Sequence, residues 1–397
     1  MQLGGDLAPA ASDLQGLVGD VLDRRLLRQD GRPLAVALSG GGDSLALTLA
    51  AAHWAKRAAR PVLVLTVDHG LRAESANWTN ACAAIAERLG AAFGPLAWTG
   101  ERPAAGLPAA ARAARHALLA DAARAAGARV ILMGHTGDDV LEARLMRAGG
   151  STTPEPREWA PSPAWPQGRG LFLLRPMLGL RRAEIRAWLR ARGETWIEDP
   201  ANEDTAYARP RARQALAAGA LPIAPARPAS AKRLAQACRP DPRGGFEIAR
   251  AELRDAEPAA LARFVAAACL SAAGTSRPPA GARVRRLAER LAGADAFVAT
   301  LAGARIAADA GRVRFGREPG EAARGGLAPL RLAAGETALW DGRFAVTAQG
   351  PAEVRPLRRT TLPVAVAADG SPAALAIEPL TYERLLAACG ALEREPA

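Results

Sequence analysis

Short apolar runs alternate with amphipathic segments through the first half of the chain. Mostly apolar runs bounded by turn-forming residues cover residues 34–38, 61–67 and 128–133. Runs of this length predict buried β-strands. Continuous apolar strands that alternate with helices are typical of a parallel sheet covered on both faces. The pattern therefore predicts an α/β fold with a parallel sheet for this region.

Segments with helical spacing of apolar positions separate these strands, and most of them end at or near a glycine, a common helix terminator. The predicted helices cover residues 14–28, 44–59, 75–89, 108–126, 138–147 and 181–192. Residues 149–170 are rich in proline and glycine, which predicts a loop. Residues 171–178 form one more short apolar stretch, and 194–213 are interpreted as a polar turn followed by basic residues.

The pattern changes near residue 219. A Pro/Ala stretch at 219–230 is typical of a linker, residues 231–292 are mostly helical in pattern, and short apolar runs from 296 onward indicate strands. We therefore predict an α/β domain, a helical region and a small strand-rich domain. Their predicted ranges are 1–218, 219–295 and 296–397.

Composition narrows the class of protein. Of 397 residues, 49% are hydrophobic and 23% are charged, which excludes a wholly disordered chain. No apolar run reaches the 18 or so residues of a membrane span, and the first 30 residues contain several acids, so we expect neither a membrane segment nor a secretory signal. The four cysteines form no CxxC pair, which argues against structural zinc and a bound redox cofactor and favours the reducing cytoplasm.

The charge of the chain is distributed unevenly. The net charge is +12; residues 1–100 are neutral overall, whereas 101–218 carry +5 and 219–397 carry +7. A basic excess of this size suits a polyanion such as nucleic acid. The alternative is a solvated basic surface without a partner.

A glycine-rich loop joins the first predicted strand to its helix. Glycines allow positive φ angles and close approach of a ligand, and the N–H groups of the following helix turn form an anion site. The loop matches neither the GKS/GKT ending of a Walker A motif nor GxGxxG, and its aspartate would repel a bare phosphate unless it held Mg²⁺. We assign nucleotide binding to the loop and to the end of the second strand: Ser39, Gly40, Gly41, Gly42, Asp43, Ser44, Asp68 and His69, with Asp43 as the tentative magnesium ligand.

The segment SGGGDS resembles the signature SGGxDS of the PP-loop ATP pyrophosphatases, which cleave ATP between the α- and β-phosphates. An ordered series of further segments resembles the tRNA(Ile)-lysidine synthase family over residues 30–215. These segments are Val67–Arg72, Ala111-Arg112 with Arg115, Gly134–Asp139 with Glu142, Arg175-Pro176, and Glu198–Asn202 with Tyr207, Arg209 and Arg213. The chain departs from the family's usual residues at Val140, Ala143, His116, Pro210 and in Ala148–Ser151. These departures affect the expected contacts with the substrate more than those with the nucleotide.

The resemblance implies a ligase that joins free lysine to C2 of the wobble cytidine, C34, of a tRNA(Ile) with a CAU anticodon. ATP first adenylates the C2 oxygen and releases pyrophosphate, and the lysine amine then displaces AMP. The resemblance thus implies ATP and Mg²⁺ as cofactors, and tRNA(Ile) and lysine as partners in the cytoplasm. A homodimer is possible.

The acidic cluster after the third predicted strand is the expected reaction centre. Asp139 and Glu142 are three residues apart, so a helix places them on one face, and His135 ends the strand beside them. A carboxylate is useful because the lysine amine must lose a proton before it attacks. We predict His135, Asp139, Glu142 and Asp43 as catalytic residues, although a helix N-terminus also favours acids for structural reasons. The predicted tRNA-binding residues are Arg112, Arg115, Arg209, Arg211 and Arg213, together with the basic region 219–397.

Three other functions compete with this prediction. Another PP-loop ligase acting on a small molecule or on a different tRNA base would share the loop. A PP-loop tRNA thiolase would need reactive or cluster-binding cysteines, for which the spacing gives no support. An RNA-binding protein with a decayed loop conflicts with the complete SGGGDS segment.

Overall fold

The structure is a computed structural model. It describes residues 14–70, 75–100, 102–103, 105–151, 153–198, 208–220, 230–324, 327–358 and 360–396. The chain forms two compact units. The first contains Met1–Ala226 and Glu393–Ala397, and the second contains Arg227–Leu392, so the second unit is an insertion in the first along the sequence.

The first unit is built on a six-stranded sheet with the order β3-β2-β1-β4-β6-β5, in which only β5 is antiparallel to its neighbour. The central strands β1 and β4 are buried along their whole length. The predicted parallel α/β fold is thus confirmed. The strands are β1 Leu34–Ala37, β2 Val62–Asp68, β3 Ala92–Ala97, β4 Val130–Met133, β5 Trp159–Pro161 and β6 Phe172–Leu174.

Helices connect these strands. The first six begin and end within a few residues of the predicted bounds because the apolar spacing and the glycine stops are local signals. The helices are α1 Leu14–Arg25, α2 Gly42–Arg57, α3 Ser75–Arg88, α4 Leu107–Ala125, α5 Gly137–Ala148, α6 Arg182–Arg190 and α7 Ala208–Ala217. In the described part of the chain no helix has both the length and the apolar character needed to cross a membrane.

The strand order creates a switch point beside β1. The chain runs from β1 to β2 on one side and later adds β4 on the other side of β1. At such a point two connections leave the sheet in opposite directions, which opens a crevice at the carboxyl ends of the strands. The loop that starts α2 and the residues that follow β4 therefore lie next to each other.

The sequence patterns missed three elements of the first unit. The predicted loop 149–170 contains strand β5, whose three residues are too few to show a strand pattern. Strand β3 has the sequence AFGPLA, in which Gly94 and Pro95 hide the strand pattern; proline is accepted here because β3 is an edge strand. Helix α7 replaces the predicted irregular basic segment. Its Pro210 lies in the first turn, where the missing N–H costs no hydrogen bond.

The second unit begins with helices and continues with strands, as the predicted fold class requires. A hairpin, β7–β8, interrupts the predicted helical region, and its turn holds Gly244 at φ +72°. The elements are α8 Lys232–Gln236, β7 Arg239–Asp241, β8 Gly245–Ala249, α9 Arg250–Arg254, α10 Pro258–Ala273, α11 Gly281–Ala292, β9 Phe297–Leu301, β10 Ala304–Ala308, β11 Arg312–Arg317, a 3₁₀ helix Pro319–Arg324, β12 Leu330–Leu332, β13 Thr337–Trp340, β14 Phe344–Ala348, β15 Ala352–Pro356, β16 Pro363–Val366, β17 Pro372–Ala373, β18 Leu375–Pro379 and α12 Thr381–Cys389.

Two hydrophobic cores lie within the second unit. Helices α8, α10, α11 and α12 share one core with β8–β11, and strands β12–β16 surround the other. The division of the chain at 218 and 295 stays a prediction. All four cysteines lie in described ranges and are buried free thiols.

The segment Glu393–Pro396 returns to the first unit, and we call it the C-terminal clasp. Its Glu395 side chain is fully buried and accepts two hydrogen bonds from Arg60, at 2.6 and 2.7 Å. The Leu27 N–H also donates to Glu395 Oε2 at 3.1 Å, and the Glu395 N–H donates to the Arg25 carbonyl at 2.8 Å. The clasp thus binds to the segment that joins α1 to β1.

Candidate active site

The phosphate loop lies at the carboxyl end of β1. Gly40 has φ +83°, and Gly41 occupies the N-cap of α2, where its lack of a side chain leaves the first N–H groups of the helix open to a ligand. The Ser44 hydroxyl donates to the Gly41 carbonyl at 2.9 Å and lies 3.1 Å from the Ser39 hydroxyl. The two predicted serines therefore brace the loop from both ends.

Gly40→Ala is expected to weaken nucleotide binding and lower stability by about 1–3 kcal/mol, the range for strained backbone at a positive φ. The strain comes from the left-handed backbone of Gly40, and a Cβ there would also lie 2.5 Å from Ile197 Cδ1, so that side chain would have to move. Calorimetric titration with ATP and denaturant unfolding measure the two effects. Gly31→Ala is the control, since its Cβ would meet nothing within 4 Å; equal losses in both variants would contradict the argument.

Asp68 and His69 lie at the carboxyl end of β2. The Gly70 N–H donates to Asp68 Oδ1 at 2.6 Å, so this carboxylate shapes the turn after the strand. His69 packs edge-on against Trp98, and burial together with the nearby Arg115 charge lowers the pKa of His69. Because β2 neighbours β1, both residues lie at the same edge of the sheet as the phosphate loop.

His135 follows β4 and lies beside the phosphate loop. The preceding residue, Gly134, has no Cβ, and one built there would lie 2.9 Å from Ser44 Cα, so β4 and α2 approach as closely as glycine allows. His135 Nδ1 accepts a hydrogen bond from Arg175 Nε at 3.2 Å. The structure thus brings His135 and the phosphate loop together.

Asp139 has two separate roles at the start of α5. Its Oδ2 accepts hydrogen bonds from the Thr136 N–H at 2.7 Å and the Thr136 hydroxyl at 3.0 Å, which completes a capping box. Its Oδ1 lies 3.0 Å from Arg209 Nη2 and 3.6 Å from Arg182 Nη2. Only Oδ1 faces the cluster of charged groups, because Oδ2 is used in the cap of α5.

Glu142 is the central anion of this cluster. Its side chain is fully buried, with Oε1 3.1 Å from Arg182 and 3.0 Å from Arg213, and Oε2 3.0 Å from Arg209. Burial alone raises the pKa of Glu142, but the three guanidinium charges outweigh it and hold the pKa below its ordinary value. Such a carboxylate is a weak base, so its geometry favours a role in positioning the arginines.

Arg182 connects the phosphate loop to the acidic cluster, and the sequence analysis did not assign it. Its Nε lies 3.0 Å from Asp43 Oδ2, while the same guanidinium contacts Asp139 and Glu142. Burial lowers the pKa of Arg182, but the three carboxylates outweigh this and raise it. Its position at the start of a predicted basic helix was visible in the sequence, but nothing there indicated which acids it meets.

Asp43 is the acid of the phosphate loop. Burial raises the pKa of Asp43, the charge of Arg182 opposes this, and the charge of Asp139 adds to it. Asp138, in contrast, turns away toward α6: it accepts from the Arg182 N–H at 2.6 Å and pairs with Arg181 at 2.8 Å. Of the neighbouring acids on α5, Asp139 and Glu142 therefore belong to the site, and Asp138 fastens α6 to it.

The predicted tRNA-binding arginines divide into two groups. Arg209 and Arg213, one turn apart on α7, point at the carboxylates of α5. Arg211 is exposed on the same helix. On α4, Arg112 is exposed and Arg115 is half-buried, and both contribute positive potential at His135.

Some of the family-like motifs fall outside the described residues. These are the turn Asp199–Asn202, Tyr207, and Leu71-Arg72. Among the unusual residues, His116 is buried and its pKa is lowered to about 3, first by burial and then by Arg112, Arg115 and Arg175. His116 is therefore neutral at physiological pH and adds no charge to the crevice.

Comparison with known proteins agrees with this geometry. A family model described as a PP-loop domain matches residues 12–219. The chain is 50% identical over 386 residues to the tRNA(Ile)-lysidine synthase of Caulobacter vibrioides, covering 91% of each chain. It is 36% identical over 320 residues to that of Hyphomonas neptunium, covering 76% of this chain and 85% of the relative, and 35% identical over 366 residues to that of Rhizobium meliloti, covering 86% and 76%. The chain therefore belongs to the tRNA(Ile)-lysidine synthase family and carries its PP-loop ATP-binding domain.

Proposed function

We propose that the protein uses ATP to join lysine to C2 of cytidine 34 in a CAU-anticodon tRNA(Ile), which forms lysidine. The observation that supports this most strongly is the ion-pair bridge through Arg182. It places the acid of the phosphate loop and the carboxylate of Asp139 on one guanidinium, at 3.0 and 3.6 Å. The site that handles the phosphates and the site that handles the amine are thus contiguous, as a two-step reaction on one base requires.

The first step forms a bond between the cytidine C2 oxygen and the α-phosphorus of ATP, and pyrophosphate leaves. The open N–H groups at the start of α2 support binding of phosphate oxygens, and the hydroxyls of Ser39 and Ser44 hold the loop that presents them. Arg112, Arg115 and Arg175 add positive potential around His135. Preorganised donors of this kind stabilise the charge that develops on phosphoryl oxygens.

The residues present fit one magnesium ion that arrives with the triphosphate. The described residues contain no group of three acidic, histidine or cysteine side chains able to hold a metal by themselves. Asp43 uses only Oδ2 in its contact with Arg182, so its other carboxylate oxygen is available to the metal, which otherwise relies on substrate phosphates. When bound, Mg²⁺ would neutralise developing phosphate charge.

In the second step the lysine ε-amine forms a bond to C2, the C2–O bond breaks, and AMP leaves with that oxygen. The amine has an ordinary pKa of about 10.4 and must lose a proton to attack. We assign that proton to Asp139 Oδ1, while Glu142 positions the arginines that surround it. This assignment separates the two predicted carboxylates into an acceptor and a positioning residue.

We propose that Arg209, Arg211, Arg213 and the basic second unit bind the tRNA. The target base must leave the anticodon stack, and loop nucleotides are the least costly to unstack. The four buried free thiols support a reducing compartment, and we place the reaction in the cytoplasm. Dimerisation stays a prediction.

Asp43→Ala tests the assignment of the loop. We expect it to abolish pyrophosphate release while leaving tRNA binding largely intact, because Asp43 lies in the nucleotide site and not on an exposed basic surface. The assay combines ATP, Mg²⁺, radiolabelled lysine and unmodified CAU-anticodon tRNA(Ile), followed by nucleoside analysis. Asp121→Ala, which removes an exposed acid of the same unit, is the control. Unchanged turnover in Asp43→Ala would refute the loop assignment, and ATP cleavage without tRNA or lysine would favour a different PP-loop enzyme.

A further inference from the structure

We propose that Arg175 holds His135 as the neutral tautomer that carries its proton on Nε2, so that His135 takes part in the reaction as a hydrogen-bond donor. Arg175 is in this view a positioning residue that acts through His135. The tautomer itself follows from contacts within the first unit. Its consequence for catalysis rests on the proposed function.

The contact between the two side chains fixes which nitrogen is protonated. Arg175 Nε lies 3.2 Å from His135 Nδ1. A guanidinium has five N–H donors and no acceptor, so Nδ1 must supply the lone pair. A neutral imidazole carries one proton, and it therefore resides on Nε2.

Arg175 is held in place independently of His135. It follows β6, its side chain is buried, and its Nη1 donates to the Arg157 carbonyl at 2.9 Å. Its own N–H donates to the Glu158 carbonyl at 2.8 Å. Because these anchors lie on a different strand connection from His135, the guanidinium cannot turn away to follow a rotation of the imidazole.

The surroundings also keep the ring neutral. The charged groups that act on His135 come from three elements: Arg175 after β6, Arg209 on α7, and Arg112 and Arg115 on α4. Burial first, and then these four positive charges, hold the pKa of His135 well below its ordinary value. A second proton on Nδ1 would face Arg175 directly, so the imidazolium is disfavoured by geometry as well.

A neutral imidazole with its proton on Nε2 can donate a hydrogen bond to an oxyanion, but it cannot accept a proton at that nitrogen. His135 directly follows Gly134, which packs against Ser44 at the start of α2, where the phosphate loop ends. A fixed donor at this place stabilises negative charge on a phosphoryl oxygen, whereas a proton acceptor would need a lone pair on Nε2. The proton of the lysine amine is accordingly left to the carboxylate of Asp139.

Nuclear magnetic resonance of the full-length protein labelled with ¹⁵N-histidine tests the tautomer directly. Long-range ¹H–¹⁵N correlations distinguish protonated from unprotonated ring nitrogens, and the chain has only four histidines. We expect His135 to show a protonated Nε2 and an unprotonated Nδ1 at neutral pH in the wild type and in Arg175→Lys. Arg175→Met should weaken this preference and show the Nδ1-protonated tautomer as a measurable minor fraction, because nothing then excludes a proton from Nδ1.

Arg112→Met is the matched control for this experiment. It removes a positive charge that acts on the ring but does not donate to Nδ1, so the tautomer should stay as in the wild type. A wild-type ring protonated on Nδ1, or an Arg175→Met ring unchanged from the wild type, would overturn the proposal. The signals of His53 and His69 show whether each variant is folded. If Arg175→Met does not fold, the spectra of the wild type and of Arg175→Lys are sufficient to test the tautomer.

Kinetics separate this proposal from the proposed function. Arg175→Met should lower kcat for AMP formation, but by less than the factor of about 10²–10³ that complete removal of an oxyanion donor costs, because some of the rings keep the proton on Nε2. KM for ATP should change little, and Arg175→Lys should recover part of kcat. A wild-type protein that makes no lysidine would refute the proposed function but leave the tautomer measurement intact. A wild-type kcat in Arg175→Met would overturn the catalytic role given to the tautomer.

Discussion

Asp139→Asn is expected to reduce lysine transfer by about 10²–10⁴-fold, the range for loss of a positioned acid–base group. The Asp139 side chain is only 11% exposed, and its Oδ1 is the carboxylate oxygen that faces Arg209 and Arg182. Asparagine keeps an acceptor for the Thr136 N–H, so the cap of α5 survives while the negative charge is lost. The effect should therefore appear in the rate and not in the fold.

Lysidine formation is measured with radiolabelled lysine and nucleoside analysis, and thermal unfolding checks that the variant is folded. Glu155→Gln is a matched control, since Glu155 also pairs with an arginine, Arg144 at 2.8 Å, but outside the cluster. Normal accumulation of lysidine in Asp139→Asn would show that the acidic cluster serves only to cap and anchor helices.

Glu395→Ala is expected to destabilise the first unit by about 3–5 kcal/mol, the usual cost of leaving one partner of a buried ion pair behind. Both side chains of the Arg60–Glu395 pair are 0% exposed. Without Glu395 the buried guanidinium of Arg60 keeps only its bonds to the carbonyls of Arg32 and Leu27. Denaturant unfolding followed by a probe of the first unit measures the loss.

Two controls isolate the buried charge as the cause. Arg28→Gln removes an exposed partner from the Arg28–Asp23 pair and should change stability little. Combining Arg60→Met with Glu395→Leu removes both charges and should recover most of the stability lost in Glu395→Ala. A double variant as unstable as the single one would mean that lost packing, not an unpaired charge, is responsible.

The nucleotide half of the site was predictable from the sequence because its signals are local. The strand, the glycine loop and the helix that hold Ser39–Ser44 follow one another within a short stretch, and each has its own pattern. The strand order that places His135 beside this loop follows from general rules for parallel sheets. The sequence therefore indicated the edge of the sheet at which the phosphate loop and His135 lie.

The ion pairs of the site were not predictable, because they join segments that are far apart in the sequence. Arg182 meets Asp43 across 139 positions, and nothing in a basic helix says which acid it faces. The contacts of Arg209 with Asp139 and Glu142 were not predicted, because an irregular segment was expected where α7 forms. Patterns of apolar residues report burial and periodicity, and they do not report which charges converge.

The C-terminal clasp couples the folding of the two units through chain entropy. The chain leaves the first unit after Ala226 and re-enters it at Glu393. If the intervening residues were unfolded, seating the clasp would close a very long loop, at a cost of about 4–5 kcal/mol. Once the inserted unit has folded, its ends are held at a fixed separation and most of that loss has already occurred. Mutations that unfold the inserted unit would therefore weaken the binding of the C-terminal clasp to Arg60. They would lower the stability of the first unit without any change in its own sequence.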